Sequence, residues 1–278
     1  MTCFKSGISS ILSRVLRGGA LALLCLSASM TAFAGDVEKE SVKVVAHRGA
    51  HTDGASENSI AALRKAMDAN YYGVELDVWM TADGRIVVHH DGHADGLVIQ
   101  DEPYPRVKDI TLSNGEKLPT LDSFLKVFKS KMKGSSSKLI VEIKTHSTPE
   151  RNNAATDLVM KKIEKAGIKD RVEYIAFSFD ICKRIVAAQP DAKVGYLMGD
   201  KTPREVHDAG ICSIDYHFGV FNNNPSWIKE ARALGMIVNV WTVNNADDMA
   251  DFIARGADYI TTDDPATLTE LSAKIAAD

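Results

Sequence analysis

The chain is poor in cysteine, with four in 278 residues. None forms a Cys-x-x-Cys pair or a Cys/His spacing of the zinc type, so neither a disulfide-built scaffold nor structural zinc carries this fold. No dense Lys/Arg run follows the first few dozen residues, and 33 basic residues stand against 37 acidic ones for a formal net charge of −4. No general nucleic-acid-binding surface is advertised, and a small molecule is the expected partner. Also missing are a Gly-x-Ser-x-Gly elbow, a Walker loop and a Gly-x-Gly-x-x-Gly fingerprint, which leaves acyl transfer, nucleotide and dinucleotide chemistry without their usual motifs. What is present, 45% hydrophobic and 25% charged residues, is the composition of an ordinary globular protein.

The first residues read as a leader. Met1 to Arg17 carries Lys5, Arg14 and Arg17 without an acid, Ala20 to Met30 is apolar, and Ala32-Phe33-Ala34 offers small residues where a signal peptidase cuts. The apolar stretch is well short of the roughly 20 residues that span a bilayer, and Leu24 precedes Cys25 where a lipoprotein signal wants a small residue. The expectation is a signal peptide over 1–34, cleaved after Ala34, and an exported protein, periplasmic or secreted, with no stable membrane anchor. Cleavage leaves 244 residues, and losing three bases takes the net charge to −7. Of the cysteines, Cys182 and Cys212 remain; placed at opposite ends of the fold proposed below, they are expected to be free thiols.

From residue 35 to 278 the chain reads as one domain in which helix and strand alternate. Apolar runs mark strands near Val42 to His47, Val74 to Val78, Leu139 to Lys144, Val172 to Ser178, Val194 to Met198, Cys212 to Tyr216, Ile237 to Trp241 and Tyr259 to Thr262. Helical spacing falls between them at Asn58 to Asn70, Asn153 to Ala166 and Ala246 to Arg255. Gly73, Gly167, Gly210, Gly235 and Gly256 read as helix stops feeding strands. Eight such units of about 30 residues predict a (β/α)8 TIM barrel. A doubly wound open sheet is the alternative, since alternation does not prove closure. One connection is long: an insertion at about 79–118 holds Thr81-Ala82-Asp83-Gly84, a hairpin-type turn before Ile86-Val87-Val88, and is expected over the barrel mouth.

Polar residues gather at the ends of the early strands: His47-Arg48-Gly49, then Glu75 and Asp77, then Glu142 and Lys144. Residues two apart share a face of a strand, so Glu75 and Asp77 point the same way, as do Glu142 and Lys144. Three carboxylates converging in a core need a positive partner. An oxygen-only set suits one hard divalent cation, Mg²⁺ or Ca²⁺, while a solvent-facing or structural cluster paired with Arg48 and Lys144 is the plainer reading. His47 and His90 lie next to these groups and can serve as an acid/base pair, or as structural residues. His51, His89, His93, His146, His207 and His217 read as surface or insertion residues. A hard metal, two histidines and two cations together suit phosphodiester cleavage, in which a charged diester must be neutralised and an alkoxide leaving group protonated.

Ordered motifs then carry a resemblance. His47-Arg48-Gly49, Glu57-Asn58-Ser59, Gly73-x-Glu75-x-Asp77-Val78, Thr81-x-Asp83-Gly84, Val87-Val88-x-His90-Asp91, Leu118-Pro119-Thr120-Leu121, Val141-Glu142-Ile143-Lys144, Trp241-Thr242-Val243-Asn244 and Gly256-Ala257-Asp258-Tyr259-Ile260-Thr261-Thr262-Asp263 span nearly the whole chain after the leader. In this the chain closely resembles the glycerophosphodiester phosphodiesterase family. The resemblance implies a barrel enzyme that hydrolyses a glycerophosphodiester to glycerol 3-phosphate and an alcohol with a divalent cation. By motif position, Glu75, Asp77 and Glu142 would be metal ligands and His47 and His90 the acid/base pair. Arg48 and Lys144 would hold the phosphate, and Trp241 would line the substrate pocket. Glu57 and Asn58 would support these groups, and Asp91 would orient its neighbours.

The chain departs from the family pattern after His90-Asp91, where Gly92-His93-Ala94-Asp95-Gly96 leads into an acidic, proline-bearing stretch from Gln100 to Arg106; the alcohol is not carried over. Two rivals stand beside this reading. A lipid-directed phosphodiesterase, of the sphingomyelinase D, lysophospholipase D or phosphoinositide phospholipase type, would need an apolar rim, for which Trp79, Leu97, Val98, Ile99 and Tyr104 are the candidates. A barrel turned binding protein would be expected to have lost catalytic groups, yet the histidines and carboxylates are intact.

Overall fold

The computed structural model describes residues 41–52 and 54–277; the expected leader lies outside them. Its strands are β1 (Lys43–Ala46), β2 (Gly73–Met80), β3 (Ile86–Val88), β4 (His93–Ala94), β5 (Leu97–Val98), β6 (Lys138–Ile143), β7 (Val172–Ala176), β8 (Val194–Tyr196), β9 (Ser213–His217), β10 (Ile237–Trp241) and β11 (Tyr259–Thr262). β1 pairs in parallel with β2 on one side and with β11 on the other. The remaining parallel pairs run β2-β6-β7-β8-β9-β10-β11, so the sheet closes into a (β/α)8 barrel and the open-sheet alternative is excluded.

Alternation along each strand separates two cores. Outward residues such as Val44, Ala46, Val74, Leu76, Val78, Leu139, Val141 and Ile143 pack under the helices. Inward residues include Val45, Ile140, Ile175, Leu197 and Tyr259. Burial on both faces is what a parallel sheet under helices requires. The helix Ile60–Asp68 is capped by Ser59, whose hydroxyl accepts from the Ala62 N–H. The helix Pro149–Ala166 starts four residues earlier than expected, because Thr148 caps it and Pro149 takes the first turn, where no N–H is needed. Gly167 and Gly256 end their helices in the left-handed conformation, as the punctuation predicts.

Gly73 does something else. It is the first residue of β2 and has no positive φ; Asn70, at φ 55°, makes the left-handed step instead. A Cβ at Gly73 would lie 3.0 Å from both Ile140 and Val45, so its bareness serves close packing inside the barrel.

After β2 the chain turns at Gly84 and returns as β3, antiparallel, with Val78 opposite Val88 and Met80 opposite Ile86. A second small hairpin, β4 with β5, follows. This segment has its own core of Val87, Ile99, Val107, Ile110 and Leu118, against which Trp79, Leu97 and Tyr104 pack. Of the apolar residues named above as a possible lipid-facing rim, Ile99 is fully buried and Trp79, Leu97 and Tyr104 are partly buried against this core. Among the described residues no helix is long and apolar enough to cross a membrane. Cys182 and Cys212 are free. The barrel's length is not what keeps them apart, since their sulfurs rest against the neighbouring residues Gly195 and Val194 of one strand.

Candidate active site

The pairing register and the two-residue alternation stack the inward side chains in layers of four from alternate strands, the arrangement a closed eight-stranded barrel imposes. One layer holds Glu75, Ile175, Asp215 and Thr261; the next toward the strands' C-terminal ends holds His47, Glu142, Leu197 and Trp241. These two layers, with Arg48, His90, Phe177 and Thr242 at the rim, enclose a cavity of about 100 Å³. It lies where barrel enzymes keep their chemistry.

Glu75, Asp77 and Glu142 bring one oxygen each to within 4.8 Å of one another. Lys144 Nζ lies 2.8 Å from both Asp77 Oδ1 and Glu142 Oε1, and Asn58 clamps Asp77 by donating from Nδ2 to Oδ2 while accepting from the Asp77 N–H. Glu75 Oε2 accepts the Arg48 N–H at 2.8 Å, but its Oε1 is buried without a hydrogen-bond partner. Burial, then the charges of Asp77 and Glu142, pushes the Glu75 carboxyl well above the usual carboxylate range. Burial and Asp77 push Glu142 up to about 8. Burial acts on Asp77 too, yet Lys144 and Asn58 hold it below its ordinary value. An orphaned buried oxygen among three crowded carboxylates fits a hard divalent cation in a way the structural ion cluster does not, because one lysine leaves the set under-neutralised.

Arg48 owes its place to an unusual turn. It adopts φ 53° and the following Gly49 φ 83°, which aims the Arg48 N–H at Glu75. A Cβ at Gly49 would come within 2.8 Å of Ala62, so the helix after the turn can approach only a glycine. The Arg48 side chain reaches Glu57 at 2.7 Å and stands 3.7 Å from Asp77.

Each candidate acid/base histidine is held by a carboxylate. A carboxylate only accepts, so the bonded nitrogen carries the proton: His47 Nδ1 donates to Asp263 Oδ1 and His90 Nδ1 to Asp91 Oδ1, both at 2.7 Å. Burial, then Lys144, lowers the His90 pKa. Asp263 is bound more fully, accepting also from His51 Nε2 at 3.1 Å and Asn244 Nδ2 at 2.7 Å. Although partial burial raises it, these donors hold its carboxyl far below the usual range.

The structure thus gathers every candidate: His47, Arg48, Glu75, His90, Glu142 and Trp241 line the cavity, with Asp77, Lys144, Glu57, Asn58 and Asp91 bonded to them or to one another. Two histidines, His51 and His146, are placed differently from expectation, while His217 is exposed as expected. His51 joins the site through Asp263. His146 is buried, accepting the Met80 N–H at Nε2 and donating from Nδ1 to the Lys144 carbonyl, which ties β2 to the end of β6. His217 caps a helix and packs edge-on against Trp241, centroids 5.3 Å apart. Asp263 stood within a motif but had no role assigned; Asp215, Phe177 and Leu197 went unnoticed. The inward phase of their strands was the available signal.

Fold and site define a barrel hydrolase with acidic and histidine groups at its C-terminal mouth. The sequence of residues 47–267 matches the model of the glycerophosphoryl diester phosphodiesterase family, and the chain belongs to that family. A crystal structure of a glycerophosphodiester phosphodiesterase from Parabacteroides distasonis is 40% identical, with TM-score 0.83, covering 85% of this chain and 98% of that one. A glycerophosphodiester phosphodiesterase of Caldanaerobacter subterraneus is 30% identical over 83% of this chain and 98% of its own length. An Oleispira antarctica phosphodiesterase solved with the product sn-glycerol-3-phosphate shares the fold at 20% identity and TM-score 0.70, over 83% and 96% of the two chains. The protein is a phosphodiesterase of this family.

Proposed function

We propose that the protein hydrolyses glycerophosphodiesters to glycerol 3-phosphate and an alcohol, using one divalent cation held by Glu75, Asp77 and Glu142 and acid/base catalysis by His47 and His90. The observation that carries this is a single cavity in which both histidines meet two of the three clustered carboxylates. Bound there, Mg²⁺ or Ca²⁺ would supply Lewis-acid neutralisation of the phosphate's charge. Arg48 and Lys144 add fixed positive charge beside the phosphate, and Trp241 with Phe177, rings 5.6 Å apart, walls the substrate from water. One histidine takes the proton of the glycerol 2-hydroxyl, whose oxygen attacks phosphorus; the other gives its proton to the departing alcohol. Water then opens the cyclic phosphate with the roles reversed.

The test is release of glycerol 3-phosphate from glycerophosphodiesters with each metal in turn. A diester lacking the 2-hydroxyl should resist cleavage, and its rapid turnover would dispose of the cyclic route. Export completes the reading: the protein is proposed to reach the periplasm or medium with its N-terminus at Gly35, which mass measurement of the secreted form checks.

A further inference from the structure

A phosphodiester has two arms, and beside the reaction cavity lies a second, larger receptacle. A groove of about 540 Å³ runs between the segment after β1 and the two hairpins that follow β2. It shares its wall with the active site: Glu57 in its lining bonds Arg48, Asn58 bonds Asp77, and His51 shares Asp263 with His47. His89 in the lining immediately precedes the catalytic candidate His90.

We propose that this groove binds the alcohol arm of the substrate and is built for a polyhydroxylated alcohol; the proposal rests on the phosphodiesterase reading above. The reaction cavity is much the smaller space, at about 100 Å³. That suits the compact glycerol moiety common to all glycerophosphodiesters. The arm that varies needs the larger and more open space.

The chemistry of the lining selects the class. Among the described residues it contains no Lys or Arg, and it includes the carboxylates of Glu57 and Asp95, so a second phosphate or other anion would be repelled. Its described residues include no Phe, Tyr or Trp, so they form no aromatic cage for a quaternary ammonium. Its apolar members are Ala55, Ala94, Ile110 and Leu112, scattered among hydroxyls, imidazoles and carboxylates, a poor bed for an acyl chain. Hydroxyl groups, which donate and accept at once, match what remains. Most polar lining groups are already engaged: Glu57 with Arg48, His51 with Asp263, and Ser56 with Ser113. His93 and Asp95, on the β4–β5 hairpin, are exposed, and their side chains have no bonding partner among the described residues, which leaves an imidazole and a carboxylate available to a diol.

The experiment uses the full-length enzyme with Mg²⁺ or Ca²⁺ and four substrates: the methyl, choline, glycerol and inositol esters of glycerol 3-phosphate. The expected result is a kcat/KM at least about tenfold higher for the glycerol and inositol esters. His93→Ala and Asp95→Gly should each lower that advantage about three- to tenfold through KM, leaving the methyl ester unchanged. Glycine suits position 95 because Asp95 already has φ 50°, so the turn survives loss of the carboxylate. No polyol preference in the wild type, equal losses on all four substrates, or no change in either variant would overturn the proposal. If no ester releases glycerol 3-phosphate, the phosphodiesterase reading itself fails, an outcome distinct from turnover without preference.

Discussion

Asp263 Oδ1 accepts the Nδ1 proton of His47 at 2.7 Å, joining the ends of the last and first barrel strands across 216 positions of sequence. The contact fixes the imidazole's tautomer and leaves Nε2 as the free nitrogen. It also places a negative charge, itself anchored by His51 and Asn244, where an imidazolium would form. Asp263→Asn keeps the shape and removes the charge, so kcat should fall by about 10²- to 10⁴-fold while metal affinity, read by calorimetry, stays near wild type. An unchanged kcat would remove Asp263 from the mechanism. His51→Ala, which removes one anchor of Asp263, should cost less.

Metal binding should release protons. Without metal, Glu75 and Glu142 are pushed up by burial and by neighbouring carboxylates, Glu142 to about 8, so at pH 7 Glu142 holds a proton that a cation must displace. Calorimetric titration with Mg²⁺ or Ca²⁺ in buffers of different ionisation enthalpy should show release on the order of one proton per ion at pH 7, declining above pH 8. Glu142→Gln should lose most of this release together with affinity. Binding at pH 7 without proton release would contradict the ligand assignment.

Asp215 offers a stability test away from the carboxylate cluster. Burial pushes its carboxyl up to about 7, with Glu173 adding to the effect and Asn239 opposing it, and its Oδ1 has no hydrogen-bond partner. In the unfolded chain it titrates near 3.9. The folded state therefore binds the extra proton between these values: the stabilising contribution is complete below about 4 and is lost as pH rises through about 7. Asp215→Asn should flatten this part of the curve, so that urea midpoints of variant and wild type, in chelator, diverge from pH 5 to pH 8 in the variant's favour. The gain at pH 8 should be on the order of 1–3 kcal/mol. A difference that does not depend on pH would show that Asp215 is not a buried ionisable group.

Barrel strands were legible because each needs an apolar outer face whatever its inner face does: Val74, Leu76 and Val78 mark β2 even though Glu75 and Asp77 interrupt them. The triad was legible because its members sit two apart on strands or within dense motifs. Lateral relationships were not. Nothing local to Asp263 names His47 as its partner, and His146 reads as a surface residue until its ring is found between the Met80 N–H and the Lys144 carbonyl. Gly73 reads as a helix stop because glycine serves both turns and tight packing, and only the neighbouring strands decide which.

The lipid-directed alternative makes an opposite prediction to the one argued here, and the packing of Trp79 decides between them. In an enzyme that works on a bilayer, apolar residues at the mouth should be free to enter the interface, where each buried side chain adds to membrane affinity. Here Trp79 donates its indole N–H to the His90 carbonyl at 3.2 Å and packs against His146, centroids 5.2 Å apart. Its role is to hold the histidine-bearing return of the hairpin. Ile99 and Val107 close the small core beneath. Among the described residues, Met198 is the large hydrophobic side chain left exposed, and one such residue is too little to dock on a membrane. Water-soluble glycerophosphocholine should therefore be cleaved at rates that added phospholipid vesicles neither raise nor inhibit, and the protein should not sediment with them. Trp79→Ala should lower kcat by loosening His90, without altering vesicle binding. Cleavage of vesicle lipid faster than of the soluble diester would reverse the assignment.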